Sequence, residues 1–195
     1  MTPHTIYFVR HGETIWNTER RLQGRSHSDL TERGRGHALE NADTLREAVP
    51  HFAALPFVSS PLARARLSME IIRDRLGLVP GDYAVDERLA ELGFGAWEGM
   101  TAREIRSSHP EAWTAYEASR WTEVPPGGES YPQLVARVRS WLADLRGDVV
   151  VVAHGALGRA LRGINLGIPL SEIPSSPTPE HDCVYRLANG TEAAL

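Results

Sequence analysis

The chain has 195 residues, 42% of them hydrophobic, which is enough for one well-buried domain and short for two. With Lys+Arg at 21 and Asp+Glu at 25 the formal net charge is -4, so there is no basic footprint for duplex nucleic acid or an anionic membrane, and a small partner is expected. The single Cys183 excludes an intramolecular disulfide and a cysteine-built zinc cage. The basic side chains are arginines, which suits bidentate phosphate recognition and equally the coding bias of a GC-rich genome.

At the N-terminus, Met1-Thr2-Pro3-His4 carries neither a basic nor a long apolar leader and runs directly into strand-like Thr5-Ile6-Tyr7-Phe8-Val9. No later apolar run approaches the ~20 residues of a membrane helix, so a cytoplasmic protein is expected. Residues 6–9 and 149–153 are rich in β-formers without polar alternation, the pattern of central strands buried on both faces. Residues 31–49 show apolar spacings of three and four, with Thr31 as the cap. Phe57-Val58-Ser59 is a short strand, followed by a helix over 61–76 that Ser60 caps and Pro61 opens. Tyr83-Ala84-Val85 is a further short strand.

Residues 93–130 break the alternation. They hold Trp97, Trp113, Tyr116 and Trp121 before the breaker Pro125-Pro126-Gly127-Gly128, and read as an insertion over the sheet edge that covers substrate or packs a small subdomain. Helical periodicity returns over 130–145 and 156–166. An irregular loop with four prolines follows over 168–180, and Cys183-Val184-Tyr185-Arg186-Leu187 is the last strand. Strands alternating with helices predict a three-layer α/β/α sandwich with a mostly parallel central sheet, as one domain over 1–195.

Both strong strands end in His-Gly: Val9-Arg10-His11-Gly12 and Ala153-His154-Gly155. Ligands of open α/β sheets bind beyond the carboxyl ends of the strands, so two histidines in matching positions should meet in one crevice, each followed by a glycine that admits a ligand close to the backbone. One histidine alone is more often a polar strand end; two reverse that balance. Arg64, one turn into a helix that follows another strand, and Arg10 beside His11 complete a site for a tetrahedral dianion. Arg66 competes with Arg64 but reads better as a solvated helix face. No Gly-x-Gly-x-x-Gly follows a strand, which argues against a dinucleotide site.

Arg10-His11-Gly12-Glu13-Thr14 with Trp16-Asn17, Gln23-Gly24, Leu30-Thr31, Ser59-Ser60-Pro61-Leu62 with Arg64-Ala65, Leu89-Ala90-Glu91, Trp97-Glu98-Gly99, Pro126-Gly127-Gly128-Glu129-Ser130 and Val152-Ala153-His154-Gly155 appear in this order over nearly the whole chain. The set resembles the histidine phosphatase superfamily, also called phosphoglycerate mutase-like. The resemblance implies that His11 is the phosphorylated nucleophile, that Arg10, Arg64 and His154 form the phosphate pocket, and that Glu91 is the proton donor. It places Asn17, Gln23 and Gly24 in the substrate loop, with Thr14 and Gly155 in the same substrate-binding motifs.

Chemistry fits this division. The transition state of phosphoryl transfer needs an in-line nucleophile and fixed positive charge, here arginines and a protonated His154 in place of metal ions, so neither metal nor cofactor is expected. Glu87 and Glu98 lie near Glu91 in sequence but do not match the donor motif, and Glu13 and Glu129 read as orienting. The other histidines, His4, His27, His37, His51, His109 and His181, read as surface or satisfied residues.

His27 stands where the family often has Asp, near the substrate loop, and Ser68 where it often has Thr. Hydrolysis of small phosphomonoesters of sugar-phosphate or phosphoglycerate type is the leading expectation. Phosphoglycerate mutase is the alternative, because the longer mutases carry further motifs missing here. A non-catalytic phospho-ligand module and a zinc hydrolase on His11 and His154 are rivals of other classes; the second lacks a third ligand. A homodimer is expected from the family alone.

Overall fold

The computed structural model describes residues 4–195; residues 1–3, part of the N-terminal stretch read above, lie outside the described residues. In chain order the elements are β1 (Ile6–Arg10), α1 (Ile15–Thr18), α2 (Glu32–Ala48), β2 (Phe57–Ser59), α3 (Ala63–Arg75), β3 (Ala84–Val85), α4 (Ala102–Ser108), α5 (Pro110–Ala118), α6 (Tyr131–Asp144), β4 (Val149–Ala153), α7 (Gly155–Leu166), β5 (Val184–Ala188) and β6 (Thr191–Ala194). The strands form one sheet in the order β3-β2-β4-β1-β5-β6. The first four are mutually parallel, and β5 and β6 add an antiparallel edge.

Why β1 and β4 lie at the centre follows from their two apolar faces. Ile6, Phe8, Val149, Val151 and Ala153 pack on one side with Leu134, Val138, Leu157 and Leu161 of α6 and α7. Val9, Val150 and Val152 pack on the other with Ala38, Leu45, Met69 and Ile72 of α2 and α3. Successive residues of a strand point to opposite faces, so only an unbroken apolar run can be buried by helices on both sides.

The sandwich therefore has the expected layers, with two local differences. Helix α3 starts at Ala63, after the uncapped Leu62, rather than at Pro61. Ser60 is still held to the sheet, its N–H donating to the Val152 carbonyl at 3.0 Å, and the chain needs Pro61 and Leu62 to turn away. Strand β6 is an addition to the expected elements: Thr191-Glu192-Ala193-Ala194 is poor in β-formers and carries no strand signal of its own. Its signal is the Asn189-Gly190 turn, both residues at positive φ (49° and 78°), which closes a hairpin with β5.

Residues 93–130 carry α4 and α5 around a separate cluster of Trp97, Ile105, Trp113 and Tyr116. The Tyr116 ring meets the Trp97 ring edge-on at 5.3 Å. Thr101 caps α4 through a reciprocal bond with Glu104, and Ser130 caps α6 in the same way with Gln133. Among the described residues no helix is long and apolar enough to cross a membrane.

Candidate active site

The register of the central strands sets the site. Arg10 pairs with Ala153, so His11 and His154 leave adjacent parallel strands at the same level. Their ring centroids are 5.1 Å apart. His11 N–H continues the ladder to the Ala153 carbonyl at 2.9 Å. A cleft of about 210 Å³ opens above them, lined by Arg10, His11, Asn17, Gln23, Gly24, Arg64, Glu91 and Gly155, together with Trp113, Tyr116, Arg120, Tyr131, Arg159 and Thr178.

His11 is 3% exposed, and its Nδ1 lies 2.7 Å from the Gly12 carbonyl oxygen. A carbonyl only accepts, so Nδ1 carries the hydrogen and Nε2 keeps its lone pair. Burial, and then the positive charge of Arg64, hold the imidazole pKa well below its ordinary value, so His11 is neutral at physiological pH. Arg64 donates Nε–H to His11 Nε2 at 3.2 Å, while its other nitrogens donate to the carbonyls of Ser26 (2.9 Å) and Gly24 (2.7 Å). Burial lowers the Arg64 pKa to about 10, which leaves it charged at neutral pH. Arg10 donates to the Pro179 carbonyl at 3.0 Å, and its buried Nε has no partner among the described residues.

Glu91 follows a short 3-10 turn over Glu87–Leu89. Its carboxylate accepts from the N–H groups of Leu92 (2.9 Å), Ala156 (3.0 Å) and Leu157 (3.0 Å). Helix α7 has no side-chain cap of its own, so Glu91 satisfies its free first-turn donors and is fixed over the cleft in return. Arg137 of α6 pins the same segment by donating to the carbonyls of Arg88 (2.6 Å) and Glu91 (3.1 Å). Glu129 orients Arg137 through bonds of 2.7 and 2.9 Å.

The neighbouring carboxylates are occupied otherwise. Glu98 accepts from the N–H groups of Arg25 and Phe94, both at 3.0 Å, and from Ser26 Oγ, closing the loop that holds Gly24. Glu87 opens the exposed turn. Glu13 accepts from Thr31 Oγ1 at 2.9 Å.

Three expectations change. His154 is fully buried and absent from the cleft lining, and burial followed by Arg64 and Arg10 lowers its pKa well below the usual value. In the free site it is a neutral ring behind His11, with Nε2 at 2.6 Å from Ser60 Oγ, and not the protonated group expected. Thr14 does not reach the cleft: it caps α1 and donates to Asn17 Oδ1 at 3.0 Å, so it positions Asn17. Gly12 serves the fold more than a ligand, since a Cβ built there would lie 2.0 Å from the Gly34 carbonyl oxygen. Gly155 does line the cleft, 3.6 Å from Arg10 Nε measured from its added Cβ.

Other residues came from no motif. His181 donates Nδ1–H to the His11 carbonyl at 2.5 Å and stacks on buried His37. Ser68 accepts from Gly12 N–H at 3.0 Å and donates to the Arg64 carbonyl at 2.8 Å, tying the two halves of the site together. Arg159, at the fifth position after His154, and Arg120 also reach the cleft. Exposed His27 pairs with Asp29 at 3.0 Å and does not line it, and exposed Arg66 meets Tyr83. Among the described residues no group of three His, Cys, Asp or Glu side chains is placed to hold a metal.

A neutral histidine with an unprotonated Nε2 among fixed guanidiniums, at the carboxyl ends of parallel strands, is suited to phosphoryl transfer. Residues 6–192 match the family described as histidine phosphatase superfamily (branch 1), and the chain belongs to it. It is 34% identical over 189 residues to a glucosyl-3-phosphoglycerate phosphatase of Mycobacterium tuberculosis, covering 90% of this chain and 81% of that one. It is 34% identical over 171 residues to a probable phosphoglycerate mutase, GpmB, of Escherichia coli, covering 84% and 75%. A solved mycobacterial glucosyl-3-phosphoglycerate phosphatase in complex with VO3 superposes with a TM-score of 0.81 at 33% identity, over 95% of this chain and 92% of that one. A putative α-ribazole-5'-phosphate phosphatase of Escherichia coli shares the fold, with a TM-score of 0.84 at 22% identity, over 99% and 95%.

Proposed function

We propose that this chain hydrolyses small phosphomonoesters through a phosphohistidine at Nε2 of His11, with Glu91 as the proton donor. The observation that carries the reading is the tautomer: Nδ1–H is held by the Gly12 carbonyl, which leaves the Nε2 lone pair beside Arg64 in the cleft. In the first step Nε2 bonds to phosphorus as the bond to the leaving oxygen breaks, and Glu91 passes a proton to that oxygen. Arg10 and Arg64 hold the oxygens of the transferred group where negative charge is concentrated. In the second step Glu91 takes a proton from water, the water oxygen bonds to phosphorus, and the bond to Nε2 breaks to release phosphate.

His154 acts as a neutral hydrogen-bonding ring with Ser60, kept unprotonated first by burial and then by the charges of Arg64 and Arg10. Asn17, Gln23, Gly24 and Gly155 contact the substrate. A cytoplasmic setting, where phosphorylated metabolites are found, goes with this reading, and glucosyl-3-phosphoglycerate, the substrate in the relatives' names, belongs in the first panel to be tested.

Rapid quenching with a ³²P-labelled phosphomonoester in the presence of EDTA tests the mechanism. An acid-labile, alkali-stable phosphoenzyme should accumulate and be lost in His11→Asn. Undiminished turnover by His11→Asn, or turnover abolished by EDTA, would overturn it.

A further inference from the structure

The carbonyl of His11 stands where the sheet runs out. The His11 N–H still donates to the Ala153 carbonyl, but β4 turns into α7 at Gly155, and β5 starts only at Val184, opposite Val9. No backbone N–H reaches the His11 carbonyl among the described residues, and a buried carbonyl left without a donor is costly. His181 supplies the donor. A carbonyl only accepts, so the ring carries a hydrogen on Nδ1 and donates it at 2.5 Å. Burial lowers the pKa of this half-buried ring to about 4, which keeps it neutral at neutral pH.

The same peptide is held at its other edge, where Gly12 N–H donates to Ser68 Oγ of α3 at 3.0 Å. Its plane sets ψ of His11 and φ of Gly12, and these place the Gly12 carbonyl that accepts from His11 Nδ1 at 2.7 Å. Gly12 has no Cβ to resist rotation, so these bonds supply the restraint. His181 is tied down in turn. Its ring stacks on His37 at 5.7 Å and 9°, and its carbonyl accepts from Asn41 Nδ2 at 2.7 Å. His37 and Asn41 are buried and lie one turn apart on α2. Two residues before His181, the Pro179 carbonyl accepts from Arg10 at 3.0 Å. One short segment thus touches both the phosphate cage of Arg10 and Arg64 and the nucleophile.

We propose that His181 is a positioning residue for phosphoryl transfer: its Nδ1–H, by holding the His11–Gly12 peptide, keeps the His11 imidazole on the line along which Nε2 meets phosphorus. Stacking on His37 and the bond from Asn41 aim the donor. The ring touches neither substrate nor reacting atoms, since it does not line the cleft. In-line attack loses rate steeply when the nucleophile is displaced, so a bond remote from phosphorus acts on the rate of transfer rather than on the binding of the ester. This inference rests on the phosphatase reading and adds to it a residue that no motif marks.

Three substitutions separate the donor from the ring. His181→Asn keeps an N–H at the place of Nδ1 and loses the ring, whereas His181→Phe keeps a ring against His37 and loses the donor. His181→Ala loses both without adding bulk, and takes the place of the Phe variant if that one fails to fold. Rapid quenching with a ³²P-labelled aryl phosphate gives the rate of phosphoenzyme formation per folded molecule and the ester concentration at half-saturation. The Phe and Ala variants should form phosphoenzyme about ten- to hundred-fold more slowly at unchanged half-saturation. The Asn variant should stay close to the unaltered protein. Undiminished rates in the Phe and Ala variants, an Asn variant slower than the Phe one, or equal losses in all three overturn the inference. In each of those cases phosphoenzyme formed by the unaltered protein upholds the phosphatase reading. No phosphoenzyme in the unaltered protein overturns both.

Discussion

The inner end of the cleft is built from strand ends and the outer wall from helices and loops. Arg10 ends β1, and His11 and His154 follow two paired strands whose register leaves no freedom in their spacing; Ser60 joins them from a third. Trp113, Tyr116, Arg120 and Tyr131 come from residues 93–130 and the start of α6, and part of this wall rests on a cluster of its own. His11, Ser60, Arg64 and His154 of the cage are buried, whereas the wall is mostly aromatic and ends in the exposed Arg120. Such a division sets a rigid floor of strand ends against a wall carried by helices and loops.

Removing the buried Trp97 ring from the cluster beneath the wall is the harshest way to separate the two. Trp97 is 1% exposed, and Trp97→Ala should cost about 3–5 kcal/mol in urea unfolding. Below its melting temperature the variant should still form the phosphoenzyme; a folded variant unable to do so would show that cage and wall are one unit. Next in size, Arg64→Gln removes the donor aimed at Nε2 and should lower kcat/KM by about 10²- to 10³-fold for neutral and acidic esters alike. A loss confined to acidic esters would instead assign Arg64 to the leaving group.

Smaller for any one histidine is the dependence of stability on pH, which belongs to the cage. Burial, first among the causes, depresses the folded-state pKa of His11 and His154 well below the ordinary value and that of His181 to about 4. As pH falls below the unfolded value of about 6.5, the unfolded chain binds protons that the folded chain refuses, so stability is full above that pH and declines beneath it. Each histidine contributes up to about 1.4 kcal/mol per pH unit, and the His181 share ends near pH 4. Urea midpoints at pH 7, 6 and 5 measure this, and a flat profile would mean that these rings are not held neutral.

Much of the cage was legible in the sequence because each of its parts sits where a strand stops. An unbroken apolar run declares a central strand, and the residue after it is placed by the ladder, so His11 and His154 could be expected to meet. Glu91 depended on the family motif: nothing local distinguishes it from Glu87 or Glu98 until α7 supplies the N–H groups that one carboxylate caps and Glu98 is seen closing a loop. The wall was read only as an aromatic insertion, since α4 and α5 are short and their apolar residues face one another rather than the main core.

The sequence by itself determined the layers of the fold, the two histidines at the strand ends and the resemblance that names the chemistry, because these follow from local pattern and fixed backbone geometry. Tertiary structure alone decided that His154 is a buried ring behind His11, that Thr14 and Gly12 serve the scaffold, and that Arg120 and Arg159 line the cleft. Burial, charge state and the partner an arginine finds are set by neighbours distant in the chain, such as Thr178 for Arg159 and Ser60 for His154.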